Sequence, residues 1–204
     1  GSSGAFCFDI TPDGNFLIVG SLTEIENTHQ QYFNLLLYDI QKSEIVKSVP
    51  IDGRIKRIKI SNDGNAFALG ITSKDSDEDK WHQKLYLWDY TTFQQVAELE
   101  NIELSSDWGY RHLKFSNDDR YLAAVRENYR GALYNTISKE QIKYFYDNRG
   151  CFNFEFLPDT NYFFIFFVTR DNIYELELHN FNGKIRTYNY LDEIMESYGN
   201  ENNW

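Results

Sequence analysis

One pattern occurs four times along the chain and restricts its fold more than any other feature of the sequence. Each copy alternates apolar, polar and apolar residues, continues through a short turn that contains an aspartate, and ends in a denser apolar run. The copies align without gaps on Asp13, Asp63, Asp118 and Asp159: FDITPDGNFLIVG, IKISNDGNAFALG, LKFSNDDRYLAAV and FEFLPDTNYFFIF. Because residues two apart share a face of a strand, each copy predicts a β-hairpin.

A third and a fourth strand are predicted after each hairpin. The third strands fall at residues 35–38, 85–88, 132–134 and 174–179. Each ends at a short polar side chain that can bond the following turn, at Asp39, Asp89, Asn135 and Asn180. The chain therefore divides into four four-stranded units, at approximately residues 5–50, 51–100, 108–146 and 150–190.

These units resemble the blades of the WD-repeat family of β-propellers, over roughly residues 5 to 190. Trp88-Asp89 spells the family dipeptide, and two other third strands end in softened versions of it, Tyr38-Asp39 and Tyr134-Asn135. No copy has the Gly-His that usually precedes the first strand. The resemblance implies an all-β, β-propeller-like fold of four four-stranded antiparallel blades, in which Trp88 packs between blades and Asp89 closes a turn.

The innermost strand of each predicted blade contains one polar position between two apolar ones. That position is occupied by Asp9, Lys59, Lys114 and Glu155 in chain order. Because the charges are complementary between repeats one and two and between repeats three and four, we expect ion pairs that join those blades.

Four blades are fewer than the roughly seven that are typical of the family. The first and last blades would leave apolar faces open to water, through Phe6, Phe8, Phe152 and Phe154. No strand is shared between the ends of the repeat region to close a ring. The sequence therefore favours part of a larger propeller, completed by further blades of the same or another chain, over a closed four-bladed ring.

The two ends of the chain depart from the repeat. Residues 1–4 read Gly-Ser-Ser-Gly and are predicted to be a linker outside the fold. After Tyr190 the strand pattern stops, and apolar residues recur at helical spacing, at Leu191, Ile194, Met195 and Tyr198. Residues 191–204 are therefore predicted to form a short C-terminal helix or tail.

Charge and composition limit the partners of the protein. The net charge of −11 disfavours nucleic acid, because proteins that bind its phosphates carry a concentrated positive field. No run of about eighteen apolar residues occurs, so no membrane partner is expected. Cys7 and Cys151 lie far apart without the spacing of a zinc site, which predicts free thiols. Since nothing resembles a signal peptide, we expect a cytoplasmic protein.

No set of residues points to catalysis. The four histidines, His29, His82, His112 and His179, are not paired with a cysteine or carboxylate at a recognised spacing. The acidic run at 75–79 has Lys80 and Tyr86 where a calcium-binding loop needs Gly and Glu, which favours a solvated loop. We therefore expect neither a catalytic residue nor a metal or cofactor.

The links between blades contain the candidate binding residues. The links repeat an Asp, a Gly and an Arg, and repeats one and two have additional long connections at 23–33 and 73–83. The resemblance implies that links and connections lie on one face, which often binds partners in this family. Because arginine and large aromatic residues are enriched at binding hot spots, the residues predicted to contact a partner are Arg54, Arg57, Trp108, Tyr110, Arg111 and Arg149.

The first functional hypothesis is a non-enzymatic protein-protein interaction scaffold of the WD-repeat type, which binds an acidic or phosphorylated peptide at these residues. The second is an enzyme or small-ligand-binding propeller, with its site at the channel mouth and completed by blades not in this chain. The third and weakest is RNA binding through the links. For the links themselves, Asp-Arg pairs that only stabilise the turns are the structural alternative to a binding patch.

Overall fold

A computed structural model of the chain describes residues 2–25, 30–75, 80–145, 150–158, 160–168 and 174–189. Sixteen strands form four antiparallel four-stranded sheets, and the described residues contain no helix. Within each sheet the strands follow one another in chain order, so each blade is a meander. The predicted all-β class with four four-stranded antiparallel blades is confirmed, and the predicted C-terminal helix or tail lies outside the described residues.

The strands of the blades have the following bounds. Blade one contains β1 (Ser2–Ile10), β2 (Phe16–Ile25), β3 (Gln30–Asp39) and β4 (Glu44–Ile51). Blade two contains β5 (Arg54–Ile60), β6 (Ala66–Lys74), β7 (Trp81–Asp89) and β8 (Gln94–Leu104). Blade three contains β9 (Tyr110–Phe115), β10 (Tyr121–Arg126), β11 (Gly131–Asn135) and β12 (Gln141–Phe145). Blade four contains β13 (Gly150–Phe156), β14 (Tyr162–Val168), β15 (Tyr174–Asn180) and β16 (Gly183–Asn189).

The first strand begins earlier than the repeat pattern suggests. Residues 2–4, predicted above to be a linker, pair with residues 22–24 of β2. The additional length of repeats one and two is also largely strand, because β2 pairs with β3 as far as Ile25 and Gln30, and β6 pairs with β7 as far as Lys74 and Trp81. These two hairpins therefore extend beyond those of blades three and four.

An aspartate carboxylate holds the turn between the first two strands of a blade. In blade two, Asp63 Oδ1 accepts hydrogen bonds from the Ser61 hydroxyl at 2.7 Å and from the Asn65 N–H at 2.9 Å. Gly64 lies within this turn with a φ of 74°, a conformation that glycine adopts without strain. Equivalent bonds are made to Asp13 in blade one and to Asp118 in blade three.

The third strands end as the sequence predicts. Asp89 Oδ1 accepts hydrogen bonds from the N–H and the hydroxyl of Thr92, at 2.7 and 2.8 Å. Trp88 is buried between blades one and two, where it stacks on Phe67 with 5.7 Å between the ring centroids. The predicted roles of both residues are confirmed, and the same capping bonds occur at Asp39, Asn135 and Asn180.

Neighbouring blades pack through their innermost strands, because β1 lies beside β5, β5 beside β9, and β9 beside β13. The buried apolar residues that the structure describes form three clusters, one between each pair of consecutive blades. Lys59 Nζ lies 2.9 Å from Asp9 Oδ2, and Lys114 pairs with Glu155. The two expected ion pairs between blades are therefore confirmed.

Blade one presents an uncovered apolar face. Phe8 and Ile10 of β1 are 66% and 49% exposed. Their counterparts in the other blades are all buried, at Ile58, Ile60, Leu113, Phe115, Phe154 and Phe156. The apolar pair of each innermost strand therefore packs backward onto the preceding blade, and in blade one no described residue covers it.

The prediction that Phe154 lies on an open outer face is wrong. Its side chain is only 3% exposed and stacks on Phe163, with 4.7 Å between the ring centroids. The reason is that Phe154 occupies the same position as Phe8 but has blade three in front of it. Phe152 is half-buried, and the side chain of Phe6 lies outside the described residues.

Blade four is open on the other side of its sheet. β14 and β15 present there a row of exposed and half-buried apolar side chains, at Tyr162, Phe164, Phe166, Tyr174, Leu176 and Leu178. Phe166 stacks on Tyr174 with 5.6 Å between the ring centroids, so these residues cover one another only in part. Counting only the residues that the structure describes, the row of four blades thus has an uncovered apolar face at each end.

We expect Phe154→Ala to lower the free energy of unfolding by about 3 to 5 kcal/mol, because it opens a cavity between blades three and four. Phe8→Ala is the matched control at the equivalent position, and it should change this free energy by less than about 0.5 kcal/mol. Urea denaturation of the two variants measures the difference. Equal losses in both variants would show that Phe8 is covered in solution and would contradict an open row of blades.

Both cysteines are free thiols, as predicted. Burial raises the pKa of Cys7 to about 11 and that of Cys151 to about 12. The reactive thiolate is therefore scarce at about pH 8 in the folded protein.

We expect both thiols to react slowly with an aromatic disulfide reagent and to react quickly after denaturation, when the ordinary pKa returns. Fast labelling of the folded chain would contradict their burial.

Candidate functional site

The links between blades and the turns from second to third strands lie at the same end of the blades, here called the link face. Close to this end, the innermost strand of every blade contains a β-bulge. The bulges place an additional residue at Phe6, Lys56, Arg111 and Phe152. Because a bulge redirects a side chain away from the regular alternation, it can position a residue for binding.

Asp107, in the link between blades two and three, is bonded to three side chains of blade two. Its carboxylate accepts a hydrogen bond from the Thr72 hydroxyl at 2.6 Å and lies 3.0 Å from Lys56 Nζ and 3.7 Å from Arg54 Nη1. A Cβ added at Gly109 would lie 2.6 Å from Lys56 Cγ, so the link passes directly beneath this lysine. For Arg54, these contacts favour the alternative of a structural Asp-Arg pair.

Arg57 adds a further positive charge, on the innermost strand of blade two. It is exposed, and its Nε donates a hydrogen bond to the carbonyl oxygen of Tyr110 at 3.3 Å. His112 occupies the equivalent position in blade three, and partial burial, followed by the charges of Arg57 and Arg111, lowers its pKa. Near neutral pH, the fixed positive charge in this region therefore comes from the arginines and lysines.

The prediction that Tyr110 offers a surface to a partner is wrong. Its side chain is 1% exposed and packs over Gly70, a position where a Cβ would collide with the ring. The hydroxyl donates a 2.6 Å hydrogen bond to Glu100 Oε2, and burial raises the pKa of Tyr110 well above its usual range. Glu100 also forms a buried ion pair with Arg126. Tyr110 therefore belongs to a polar network that joins blades two and three.

Arg111 has the most unusual environment of the predicted residues. Its guanidinium carbon lies 4.8 Å from the ring centre of Tyr129 and 4.7 Å from that of Phe152, and these two rings stack on each other with 6.2 Å between centroids, so the cation lies beside a stacked aromatic pair. Its Nε is buried and has no acceptor among the residues that the structure describes. The side chain is thus held in place by aromatic contacts, with hydrogen-bonding capacity left over.

Trp108 is 39% exposed and lies on a firmly held segment of backbone. The next residue, Gly109, donates its N–H to Glu127 Oε2 at 2.7 Å and accepts the Glu127 N–H at 2.9 Å. Beside the indole is a depression of about 310 Å³, which is also lined by Asn128 and Arg130. Trp108 is therefore placed as the exposed aromatic residue that the sequence predicts.

A larger groove lies between blades one and two on the same face. It encloses about 430 Å³, and its lining includes Tyr32, Pro50, Arg54, Lys74 and Trp81. The sequence pattern identified the long connections that line this groove but not its aromatic residues. Tyr32 and Trp81 were missed because they belong to extensions of the strands whose sequence resembles that of a loop. Tyr129 and Phe152 were also missed, because the contact of Tyr129 with Arg111 depends on the folding of blade three and that of Phe152 on the packing of blade four against it.

Five of the six predicted residues are described by the structure, and they lie along the links and innermost strands of blades two and three. Arg149 lies outside the described residues, as do residues 76–79 of the acidic run at 75–79. Within the described ranges, no group of three or more His, Cys, Asp and Glu side chains could hold a metal ion. A helix long and apolar enough to cross a membrane is likewise not found among the described residues.

Meander sheets that pack side by side through their innermost strands define the β-propeller class. No protein-family model matches the chain, and neither does any curated protein sequence. Among solved structures, the WD40 repeats of RRP9 align with a TM-score of 0.59 and 12% identity, over 91% of this chain and 54% of theirs. The β-propeller domain of the Trilobed protease from Pyrococcus furiosus gives a TM-score of 0.63 and 12% identity, over 91% of this chain and 57% of its own.

Hydrazine synthase from Kuenenia stuttgartiensis is also similar, with a TM-score of 0.57 and 15% identity, over 92% of this chain and 66% of its own. The chain thus spans about half to two thirds of the length of these structures. In its fold, the described part of the chain is a row of four β-propeller blades.

Two substitutions test whether the buried polar network around Tyr110 stabilises the fold. Glu100→Gln should lower the free energy of unfolding by about 3 to 5 kcal/mol, because it leaves the charge of Arg126 buried without an opposite charge beside it. Tyr110→Phe removes one hydrogen bond but keeps the ion pair, so a loss of about 1 to 3 kcal/mol is expected. Denaturant titration of both variants gives these values, and a Tyr110→Phe loss greater than that of Glu100→Gln would contradict the proposed order.

Proposed function

We propose that this chain is a non-enzymatic interaction module of the WD-repeat type that binds an acidic or phosphorylated peptide on its link face. The observation that carries the proposal is the state of Arg111. Its guanidinium contacts the stacked rings of Tyr129 and Phe152, and its Nε has no acceptor among the described residues. The side chain is half-buried, so a carboxylate or phosphate would bind the accessible part of the guanidinium, and a guanidinium held by aromatic contacts binds such groups with little loss of conformational entropy.

The charge distribution supports an acidic ligand. The innermost strands of blades two and three read RIKRIKI and YRHLKF, whereas the whole chain carries a net charge of −11. Some of this positive charge is paired, with Asp9, Asp107 and Glu155. A local basic surface on an acidic protein would attract a negatively charged segment to this face and repel it elsewhere.

The described residues give less support to an enzyme. Glu177 and His179 form a carboxylate–histidine pair, with 2.7 Å between Oε2 and Nε2. Both side chains are buried, and the imidazole stacks on Phe163, so a substrate has no access to them. The likeness to hydrazine synthase is one of fold and does not transfer its activity.

Completion of the propeller is part of the same proposal. Further blades, from this polypeptide or from another, would cover Phe8 and Ile10 at one end and the apolar face of β14 and β15 at the other. The backward packing of every other blade supports this, because each innermost apolar pair is buried only where a blade precedes it. The position of the link face does not change when blades are added.

Fluorescence anisotropy with a labelled hexaglutamate peptide and its phosphoserine-containing analogue tests the binding site. Arg111→Ala should weaken binding by about tenfold or more, since it removes a charge-assisted contact. Arg111→Lys keeps the charge but loses the planar stack and should recover only part of the affinity. Trp108→Ala should also weaken binding while the melting temperature is retained.

Arg120→Ala is the matched control, because Arg120 is an exposed arginine at the opposite end of the blades. It should leave the affinity unchanged within about twofold. If Arg111→Ala and Arg120→Ala weaken binding equally, the interaction is diffuse electrostatic attraction and the link face is not the site. If Arg111→Ala loses stability while affinity is retained, Arg111 has only a structural role.

A further inference from the structure

The hairpin turns between first and second strands lie at the end of the blades opposite the link face, here called the turn face. Between blades two and three, one carboxylate bridges two of these turns. Asp119 Oδ1 accepts hydrogen bonds from the backbone N–H and the side-chain amide of Asn62, both at 2.8 Å, and Oδ2 accepts the N–H of Asp63 at 2.9 Å. The turn of blade two is therefore a carboxylate-binding cradle, which blade three fills.

The repeat reveals which partner each turn requires. At the interface of blades one and two, the position of Asn62 is taken by Pro12, which has no N–H, and the position of Asp119 is taken by Gly64, which has no acceptor. The cradle and its carboxylate are thus absent together at that interface. Where the donors are present, between blades two and three, the carboxylate is present as well.

The interface of blades three and four breaks this correspondence. Asn117 and Asp118 repeat the Asn-Asp pair of blade two, but the position of Asp119 is taken in blade four by Thr160. The Thr160 hydroxyl is used within its own turn, where it donates to the Leu157 carbonyl and accepts the Tyr162 N–H, each at 3.2 Å. Asn117 has no hydrogen-bond partner among the described residues. Within the part of the chain that the structure describes, this turn has the donors of the cradle without their acceptor.

A cavity lies at this position. It encloses about 270 Å³ and is lined by Asn117, Asp118, Thr160 and Asn161 on its polar side. Its apolar side includes Tyr121 and Phe181, whose rings stack with 4.0 Å between centroids. A ligand in the cavity would therefore meet hydrogen-bond donors on one side and an aromatic surface on the other.

We propose that the turn face has a carboxylate-binding site between blades three and four, and that its ligand is an aspartate or glutamate side chain of a partner peptide. The backbone N–H groups of Asn117 and Asp118 and the amide of Asn117 bind the carboxylate, as their counterparts bind Asp119. The stacked rings of Tyr121 and Phe181 contact the adjoining apolar part of the peptide. The Asp118 carboxylate lines the same cavity, so repulsion disfavours a phosphate dianion as the ligand. A single carboxylate is compatible with this neighbour, because Asp119 binds beside the equivalent Asp63 at the interface of blades two and three.

Amide NMR on the 204-residue chain tests this site with N-acetyl-aspartate methylamide as the probe. The resonances of Asn117 and Asp118 should shift saturably, and the neutral N-acetyl-asparagine methylamide should bind at least about tenfold more weakly. Lowering the pH below the range of the probe's carboxyl group should abolish the shifts. Asn62 and Asp63 serve as the internal control, because Asp119 already occupies their cradle and their resonances should not respond.

Two variants exchange the properties of the two cradles. Asp119→Gly introduces the glycine that blades one and two have at the equivalent position, and glycine adopts the φ of 56° found there without strain. Because the variant removes the carboxylate that fills the cradle, Asn62 and Asp63 should then respond to the probe. Thr160→Asp provides an internal carboxylate and should eliminate the response at Asn117 and Asp118. The proposal is overturned if these two residues do not shift in the unmodified chain, if the neutral probe binds equally well, or if N-acetyl-lysine methylamide shifts them instead. Because the site and probe differ from those of the link face, failure here leaves the peptide-binding proposal intact.

Discussion

Packing of each sheet against the next is the interaction on which the rest of this structure depends. A single four-stranded meander exposes apolar residues on both faces and cannot be stable alone in water. Here every innermost strand presents its apolar pair to the blade before it, and the pair is buried wherever such a blade exists. The ion pairs between neighbouring innermost strands join the same blades that this one-directional packing brings together.

The three interfaces between blades differ in chemistry although the backbone pattern is the same. The first contains the stacked Trp88 and Phe67, the second contains the buried Glu100 and Arg126 pair, and the third is dominated by phenylalanines. An ion pair buried between two specific sheets costs desolvation energy unless both partners are present, so it favours one pairing of blades. Side-chain chemistry therefore encodes the order of blades, whereas the repeat encodes only their shape.

The sequence predicted those features that depend on neighbours within one repeat. Strand alternation, the aspartate-closed hairpins and the caps at Asp89 and Asn135 are local, so their patterns can be read directly. The buried state of Tyr110 and the contact of Arg111 with Phe152 depend on residues of the adjacent blade, and a β-bulge leaves no mark in the pattern. The exposure of Phe154 was predicted wrongly for a related reason. Phe8 and Phe154 occupy equivalent positions in their blades, and blade three covers this position in blade four but no described blade covers it in blade one.

The uncovered faces at the two ends have a consequence for the motions of the molecule. Blades two and three each have a neighbour on both sides, while blades one and four each have one, so opening a terminal blade breaks half as many interfaces as opening an inner one. Local unfolding should therefore proceed from the ends inward, like fraying of a helix. The link residues Asp107, Trp108 and Arg111 belong to the inner blades, so the basic surface lies where the backbone opens least often.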